Sequence, residues 1–283
     1  MLQQVFDIVA SGSIFFAVSI GLLVVLSIMR VVNLAHGAFL TIGGYAAVVV
    51  SDIGWNPWLA LLLAPTVGFI MGLAAEFLLV RHLYSRPLDT ILATWGLAIV
   101  ITQVVADQFG RSAHYVDELI SGDPLQFGGA FFSQYRLFIV VVALVMGGLL
   151  LLLARSTHVG IIARAVILNP ELAKALGINT GRVNAITFAV GSALAAFAGA
   201  IVVPMSSVDP NMGAPWVITA FMVVLVAGIS LPALAISALA LAAGQALATF
   251  YIAPAVGSLV VIAVPVLIMR FAPDGIAGLF GSP

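Results

Sequence analysis

Long apolar runs recur along this chain and leave it one kind of solvent. They lie near 8–29, 35–51, 58–80, 90–108, 135–154 and 183–203, with further segments near 216–229, 233–251 and 256–271. A spanning helix needs about 20 mostly apolar residues, so the runs read as about eight or nine membrane segments. The segment at 216–229 is short for a full crossing and reads as tilted, joined to its neighbour or re-entrant. Hydrophobic residues make up 63% of the chain and charged ones 7%, whereas a soluble domain carries about 25% charged residues. A soluble fold of 283 residues still turns a large exterior to water; this exterior must meet hydrocarbon. The apolarity is continuous rather than alternating, which selects helices over a membrane barrel. Lipid leaves the backbone no other way to satisfy its polar groups. The expected fold is all-α: a polytopic transmembrane helical bundle, one domain over 1–283, with a short cytoplasmic helix in the loop 155–182.

Basic residues gather on the cytoplasmic side of a membrane protein. With the loop after the third span inside, Arg30, Arg81, Arg86, Arg155, Arg164, Lys174, Arg182 and Arg270 fall inside or at that boundary. Only Arg111 and Arg136 fall outside. The N-terminus is then outside and, for an odd number of spans, the C-terminus inside. Asp107, Asp117, Glu118, Asp123 and Asp209 fall on the outer side. Met1 to Asp7 carry no basic cluster and no clear cleavage site follows, so the first run reads as a retained span. There are no cysteines, which removes disulfides and thiolate chemistry. A net charge of −1 offers no field for nucleic acid.

The inner loop is the most informative stretch. Asn169 is a good helix N-cap, Pro170 suits the first helical position, and Glu171 and Lys174 match the helix dipole. Gly177 is a natural residue just past a helix end. A helix of about two turns is expected over 170–176, with Leu172, Ala173 and Leu176 on one face. So short a helix is not stable alone and must dock. It either sits in a cleft of a cytoplasmic ATPase or lies on the bilayer as a connector.

Within the spans, Asn33 and His36 share a helix face, and polar groups there face protein or water. They either line the inner part of a solute path or bond a neighbouring helix. Gly37, Gly43 and Gly44 admit close backbone approach. Thr94, Trp95, Thr102 and Gln103 give the fourth span polar positions that touch solute or bond across helices. Glu76 lies near Arg81 and the inner boundary, where snorkelling or pairing accounts for it. Gly68 and Gly72 read as a packing contact, and Trp55 and Trp58 as interface anchors. The four histidines lack paired ligand spacing, so no metal site is expected.

Three motifs together carry a resemblance. Arg164-Ala165-x-x-x-Asn169-Pro170-Glu171-x-Ala173-x-x-x-Gly177-Ile178 is similar to the cytoplasmic loop of the high-affinity branched-chain amino acid ABC importer permeases. Val31-Val32-Asn33-Leu34-Ala35-His36-Gly37-Ala38-Phe39, followed by Gly43-Gly44-Tyr45, resembles the start of the second span in that family. The ending from Phe271 through Pro273 and Gly275 to Phe280-Gly281 is similar to the family's C-terminus. The resemblance implies a permease in the bacterial inner membrane. Its partners would be two cytoplasmic ATP-binding subunits, a second permease, identical or homologous, and a periplasmic solute-binding protein. It would carry branched-chain amino acids or related small polar solutes. Arg164, Ala165, Asn169, Glu171, Ala173 and Gly177 would belong to the ATPase contact, and Asn33, His36, Gly37, Thr94 and Gln103 are candidates for the path. One departure is the stretch Ala227-Gly228-Ile229-Ser230-Leu231-Pro232-Ala233, with fewer glycines than the family often has. No cofactor is expected, and Walker sequences are absent, so ATP hydrolysis falls to another chain. No Gly-x-Ser-x-Gly or intramembrane aspartate pair suggests an enzyme. The rival reading is a secondary transporter or channel working without ATPases, though such proteins often carry intramembrane charge.

Overall fold

The computed structural model describes residues 2–84, 86–127 and 129–271. Beyond Phe271, the C-terminal motif lies outside the described residues. Among them the chain forms α1 (Leu2–Met29), α2 (His36–Asp52), α3 (Ala60–Leu78), α4 (Pro87–Phe109), the strands β1 (Leu125–Phe127) and β2 (Ala130–Phe132), α5 (Gln134–Ser156), α6 (His158–Leu168), α7 (Pro170–Ala175), α8 (Thr180–Val202), α9 (Gly213–Ala227), α10 (Leu231–Tyr251) and α11 (Pro254–Phe271). Among the described residues, seven helices, some extended by flanking 3-10 turns, are long and apolar enough to cross a membrane. They contain α1, α3, α4, α5, α8, α10 and α11. With α2 and α9 packed among them, nine segments fill the bundle. α9, with 15 residues, is the short segment. At 1.5 Å per residue it reaches only about 22 Å, less than the hydrocarbon thickness.

Position in the bundle follows from side-chain size. α2 is buried along most of its length, seated against α8 through glycines. A Cβ on Gly199 would fall 2.0 Å from the Leu40 carbonyl oxygen, and one on Gly43 would fall 1.8 Å from that of Ala196. Only glycine permits that approach. Gly68 and Gly72 likewise bring α3 onto Ala196 and Ser192 of α8. α1 and α8 are mostly buried, whereas α5 and α11 bury little. Two buried serines bond their own helix: Ser19 donates to Phe15 O at 2.6 Å and Ser192 to Phe188 O at 2.9 Å. Outward faces are apolar, with Leu62, Leu88, Leu144 and Val266 all exposed, as a lipid-facing surface requires.

The two ends of the bundle differ in charge. At one end Arg30, just past α1, donates to Ile167 O of α6 at 3.3 Å. The connector between α3 and α4 carries Arg81 and Arg86, and Arg155, Lys174 and Arg182 lie at the end of α5, in α7 and at the start of α8. At the other end Arg136 pairs with Asp7, Phe131 N donates to Gln3 Oε1 at 3.0 Å, and His114 bridges Val208. The charge bias read from the sequence therefore separates along the bundle axis, as the positive-inside rule expects of a membrane protein.

Candidate functional site

The inner-end loop forms an elbow of two helices. Thr157 caps α6, its Oγ1 accepting from Gly160 N at 3.3 Å. Asn169 caps α7, its Oδ1 accepting from Leu172 N at 3.0 Å. Its own N–H donates to Ala165 O at 3.1 Å, so the end of α6 and the start of α7 are fastened together. Glu171 and Lys174 pair across 2.8 Å. Gly177 has φ +87°. Its N–H donates to Lys174 O at 2.9 Å and that of Ile178 to Ala173 O at 3.0 Å; these are the two bonds of a Schellman ending. Asn179 Oδ1 then accepts from Arg182 N at 3.0 Å and starts α8. The chain passes from α7 to α8 with almost no slack.

One expectation about this helix is corrected. Leu172, Ala173 and Leu176 do not share a face. Ala173 is buried and seats α7, whereas Leu172 (57%) and Leu176 (74%) are exposed, together with Leu168 (81%). Residues 172 and 176 are four apart and stack, while 173 is turned about 100° away. Arg164 on α6 is exposed and Ala165 half-buried. Asn169, Ala173 and Gly177 thus build and seat the helix. Its outward apolar residues are Leu172 and Leu176, with Leu168 exposed beside them at the end of α6; Leu168 lies across the extended Asn169, so helical spacing within α7 does not point to it.

Around the start of α2 the structure gathers four of the five path candidates. The chain breaks between α1 and α2, with Arg30 at φ 54°. The freed amides are satisfied in turn: Leu34 N donates to Thr94 Oγ1 at 3.2 Å and Ala35 N to Asn33 Oδ1 at 3.0 Å. His36 Nε2 lies 2.7 Å from Val18 O, a carbonyl that requires a proton on Nε2 and leaves Nδ1 an acceptor. That Nδ1 and Asn33 Nδ2 are buried without a partner among the described residues. Asn33, His36 and Thr94 are all buried. Gly37 meets the start of α9, where Thr41 Oγ1 accepts from Gly213 N at 3.1 Å. Gln103 sits apart on the outward face of α4, donating to Asp107 Oδ1 at 2.7 Å. α4 buries Thr90, Thr94, Ile101 and Val105 and exposes Leu92, Trp95 and Ile99 beside Gln103.

Glu76 also differs from expectation. Its carboxylate neither snorkels nor pairs with Arg81. It is buried and accepts from the Tyr84 hydroxyl, while Arg81 stacks 3.7 Å over the Phe77 ring. Burial first, then the Glu76 carboxylate, raise the Tyr84 hydroxyl above its ordinary pKa, so it stays protonated and donates.

Comparison with known proteins agrees with this architecture. Residues 4–269 match the family described as the branched-chain amino acid transport system / permease component. The chain is 28% identical to the high-affinity branched-chain amino acid transport system permease protein LivH of Escherichia coli K12, covering 98% of this chain and 95% of that one. It is 27% identical to BraD of Pseudomonas aeruginosa, a permease protein of the same kind, with the same coverage. PsaBC from Streptococcus pneumoniae, solved in complex with Fab, shares the fold at TM-score 0.51 and 13% identity, over 96% of this chain and 92% of that one. With its apolar spans, its basic inner end and a match running through nearly all of its helices, this multi-pass membrane protein belongs to the branched-chain amino acid transport permease family.

Proposed function

We propose that the chain is the inner-membrane permease of an ABC importer for branched-chain amino acids or closely related small solutes. It forms the translocation path, and separate cytoplasmic ATPase subunits supply the energy. A second permease, identical or homologous, completes the channel, and a periplasmic binding protein delivers the solute. The family match over residues 4–269 carries this reading. α7 supports its energetic half. It is a helix closed at both ends, seated by Ala173 and presenting Leu172 and Leu176 outward, with Leu168 exposed at the end of α6, at the basic end, where an ATPase would meet it. Glu171, Lys174 and Arg164 are exposed in the same elbow.

The spans fit a solute of no net charge. From Pro210 to Met269 the chain carries no Asp, Glu, Lys or Arg, and unpaired charge inside a membrane is costly. A zwitterion with an aliphatic side chain, or a small amide, suits spans that offer no fixed counter-charge. Of the candidate path residues, Gln103 is the exposed one; it meets solute if the second permease covers this face of α4. Asn33, His36, Gly37 and Thr94 hold the α1–α2 break from inside the protomer and shape the path indirectly.

The test is uptake by the complete complex in vesicles, with labelled leucine, isoleucine, valine, urea and acetamide offered in turn. ATP-dependent accumulation of leucine, isoleucine or valine is expected. Uptake by the chain without ATPases, driven by an ion gradient, would instead make it a secondary transporter.

A further inference from the structure

We propose that the cleft between α1 and α10, at the end of the bundle away from α7, is a binding site for a zwitterionic aliphatic amino acid. This deepens the reading of the chain as a branched-chain amino acid permease and rests on it. Nearer the centre the two helices touch: a Cβ on Gly12 would fall 3.2 Å from Leu239 Cα. Beyond that contact they enclose a cleft of about 410 Å³, with Gln4, Asp7 and Ile8 of α1 on one side and Ala246, Leu247 and Phe250 of α10 on the other. Pockets for small molecules run from about 300 to 1,000 Å³, so one amino acid fits. The same stretch of α1 is moored elsewhere. Phe6 packs on Phe132, Gln3 Oε1 accepts from Phe131 N at 3.0 Å, and Asp7 pairs with Arg136 of α5. α1 is therefore held by α5 and the hairpin, and the gap toward α10 is framed by fixed walls.

An α-amino acid carries an ammonium, a carboxylate and a side chain on one carbon, and the cleft offers a partner for each. Asp7 accepts from the ammonium. Arg136, joined to Asp7 at the rim, donates to the carboxylate, the strong charge-assisted pairing of a guanidinium. Ile8, Ala246, Leu247 and Phe250 receive an aliphatic chain and favour it over a polar one by the apolar area they cover. Gln4 adds an amide that donates or accepts. The two fixed charges sum to zero, which suits a zwitterion and neither a net cation nor a net anion. Their side chains are 40% exposed for Asp7 and 46% for Arg136. So exposed a pair adds little to stability, and each partner is free to trade the other for one end of the ligand. An aminophospholipid headgroup also presents an ammonium beside an anion, so the test separates the two sources.

The experiment uses the permease assembled with its ATPase subunits in lipid nanodiscs, with photo-leucine, a diazirine analogue of leucine, as the probe and mass spectrometry to map the label. Label is expected on α1 near Ile8 and on α10 near Leu247. Excess leucine should remove it. Isopentylamine, which lacks the carboxylate, and isocaproate, which lacks the ammonium, should not. Asp7→Asn and Arg136→Gln should each cut labelling by about tenfold or more, as loss of one charged hydrogen-bond partner implies, with thermal stability unchanged. Ala246→Phe fills the cleft, keeps both charges and should cut labelling as far. Undiminished labelling in Arg136→Gln or in Ala246→Phe overturns the site. Label that forms in phosphatidylcholine discs and vanishes in phosphatidylethanolamine discs makes the cleft a headgroup site and also overturns it. An unlabelled cleft in a complex that imports leucine overturns the site alone. Absence of ATP-dependent leucine uptake by the unmodified complex, supplied with its binding protein in vesicles, defeats the functional reading beneath it.

Discussion

Replacing Gly177 isolates the ending of α7 from everything else. The residue holds φ +87°, and a Cβ added there meets no atom within 4 Å. Alanine therefore introduces no clash; it introduces only the cost of a left-handed backbone, about 1–2 kcal/mol for a residue with a Cβ. At 1.4 kcal/mol per tenfold, the properly ended helix falls roughly five- to thirtyfold relative to unravelled forms. A helix of two turns has little reserve against such a loss. Gly177→Pro goes further, because proline cannot reach positive φ and lacks the N–H that bonds Lys174 O at 2.9 Å. Gly177→Asn is milder, since asparagine tolerates this region. In membranes carrying the complete complex, the amount of inserted permease should stay level across the three variants. Leucine uptake should fall in the order Asn, Ala, Pro, with ATP hydrolysis persisting. Normal uptake by Gly177→Pro would refute the assignment and leave α7 a mere connector.

Further outcomes are expected elsewhere. Leu172→Asp, at an exposed position, should leave the permease folded but reduce its co-purification with ATPase subunits by about tenfold or more, in keeping with the loss of a central apolar anchor. Gly199→Val should abolish stable insertion, measured by protease resistance in membranes, because its Cβ would sit 2.0 Å from Leu40 O. His36→Ala should cost about 1–3 kcal/mol by stranding the Val18 carbonyl, lowering thermal stability while leaving the order of preferred solutes unchanged. Gln103→Leu should shift the KM for uptake without altering thermal stability, since the residue's bond is to Asp107 on the exposed face of α4.

The helical membrane class is legible from sequence because each long span carries its own signal in continuous apolarity. The ends of α7 are legible for a related reason: Asn169, Pro170 and Gly177 act on backbone within one turn of themselves, so no distant contact decides them. Facing direction is another matter. Ala173 points inward and its neighbour Leu172 outward because of where α8 lies, a fact no six-residue pattern contains. Thr94 reads equally well as a solute contact or a helix bond, and only the position of the α1–α2 break, some sixty residues away in sequence, decides that it serves Leu34 N. Glu76 is similar. Its apparent partner Arg81 is nearer in sequence than Tyr84, but the turn that follows α3 brings the tyrosine back over the carboxylate. The short span near 216–229 is visible as an oddity of length; that it begins against Gly37 and Thr41 comes from tertiary packing.

The interlocked glycines of α2 and α8 bear on how such a protein can move at all. Two helices whose backbones occupy each other's side-chain space cannot slide or roll without first separating, so the pair behaves as a keel. Rearrangement between inward- and outward-open shapes is then left to the lightly moored periphery, α4 foremost. Amide exchange in detergent should show this as a slow centre over 36–52 and 180–202 and a quicker rim over 87–109.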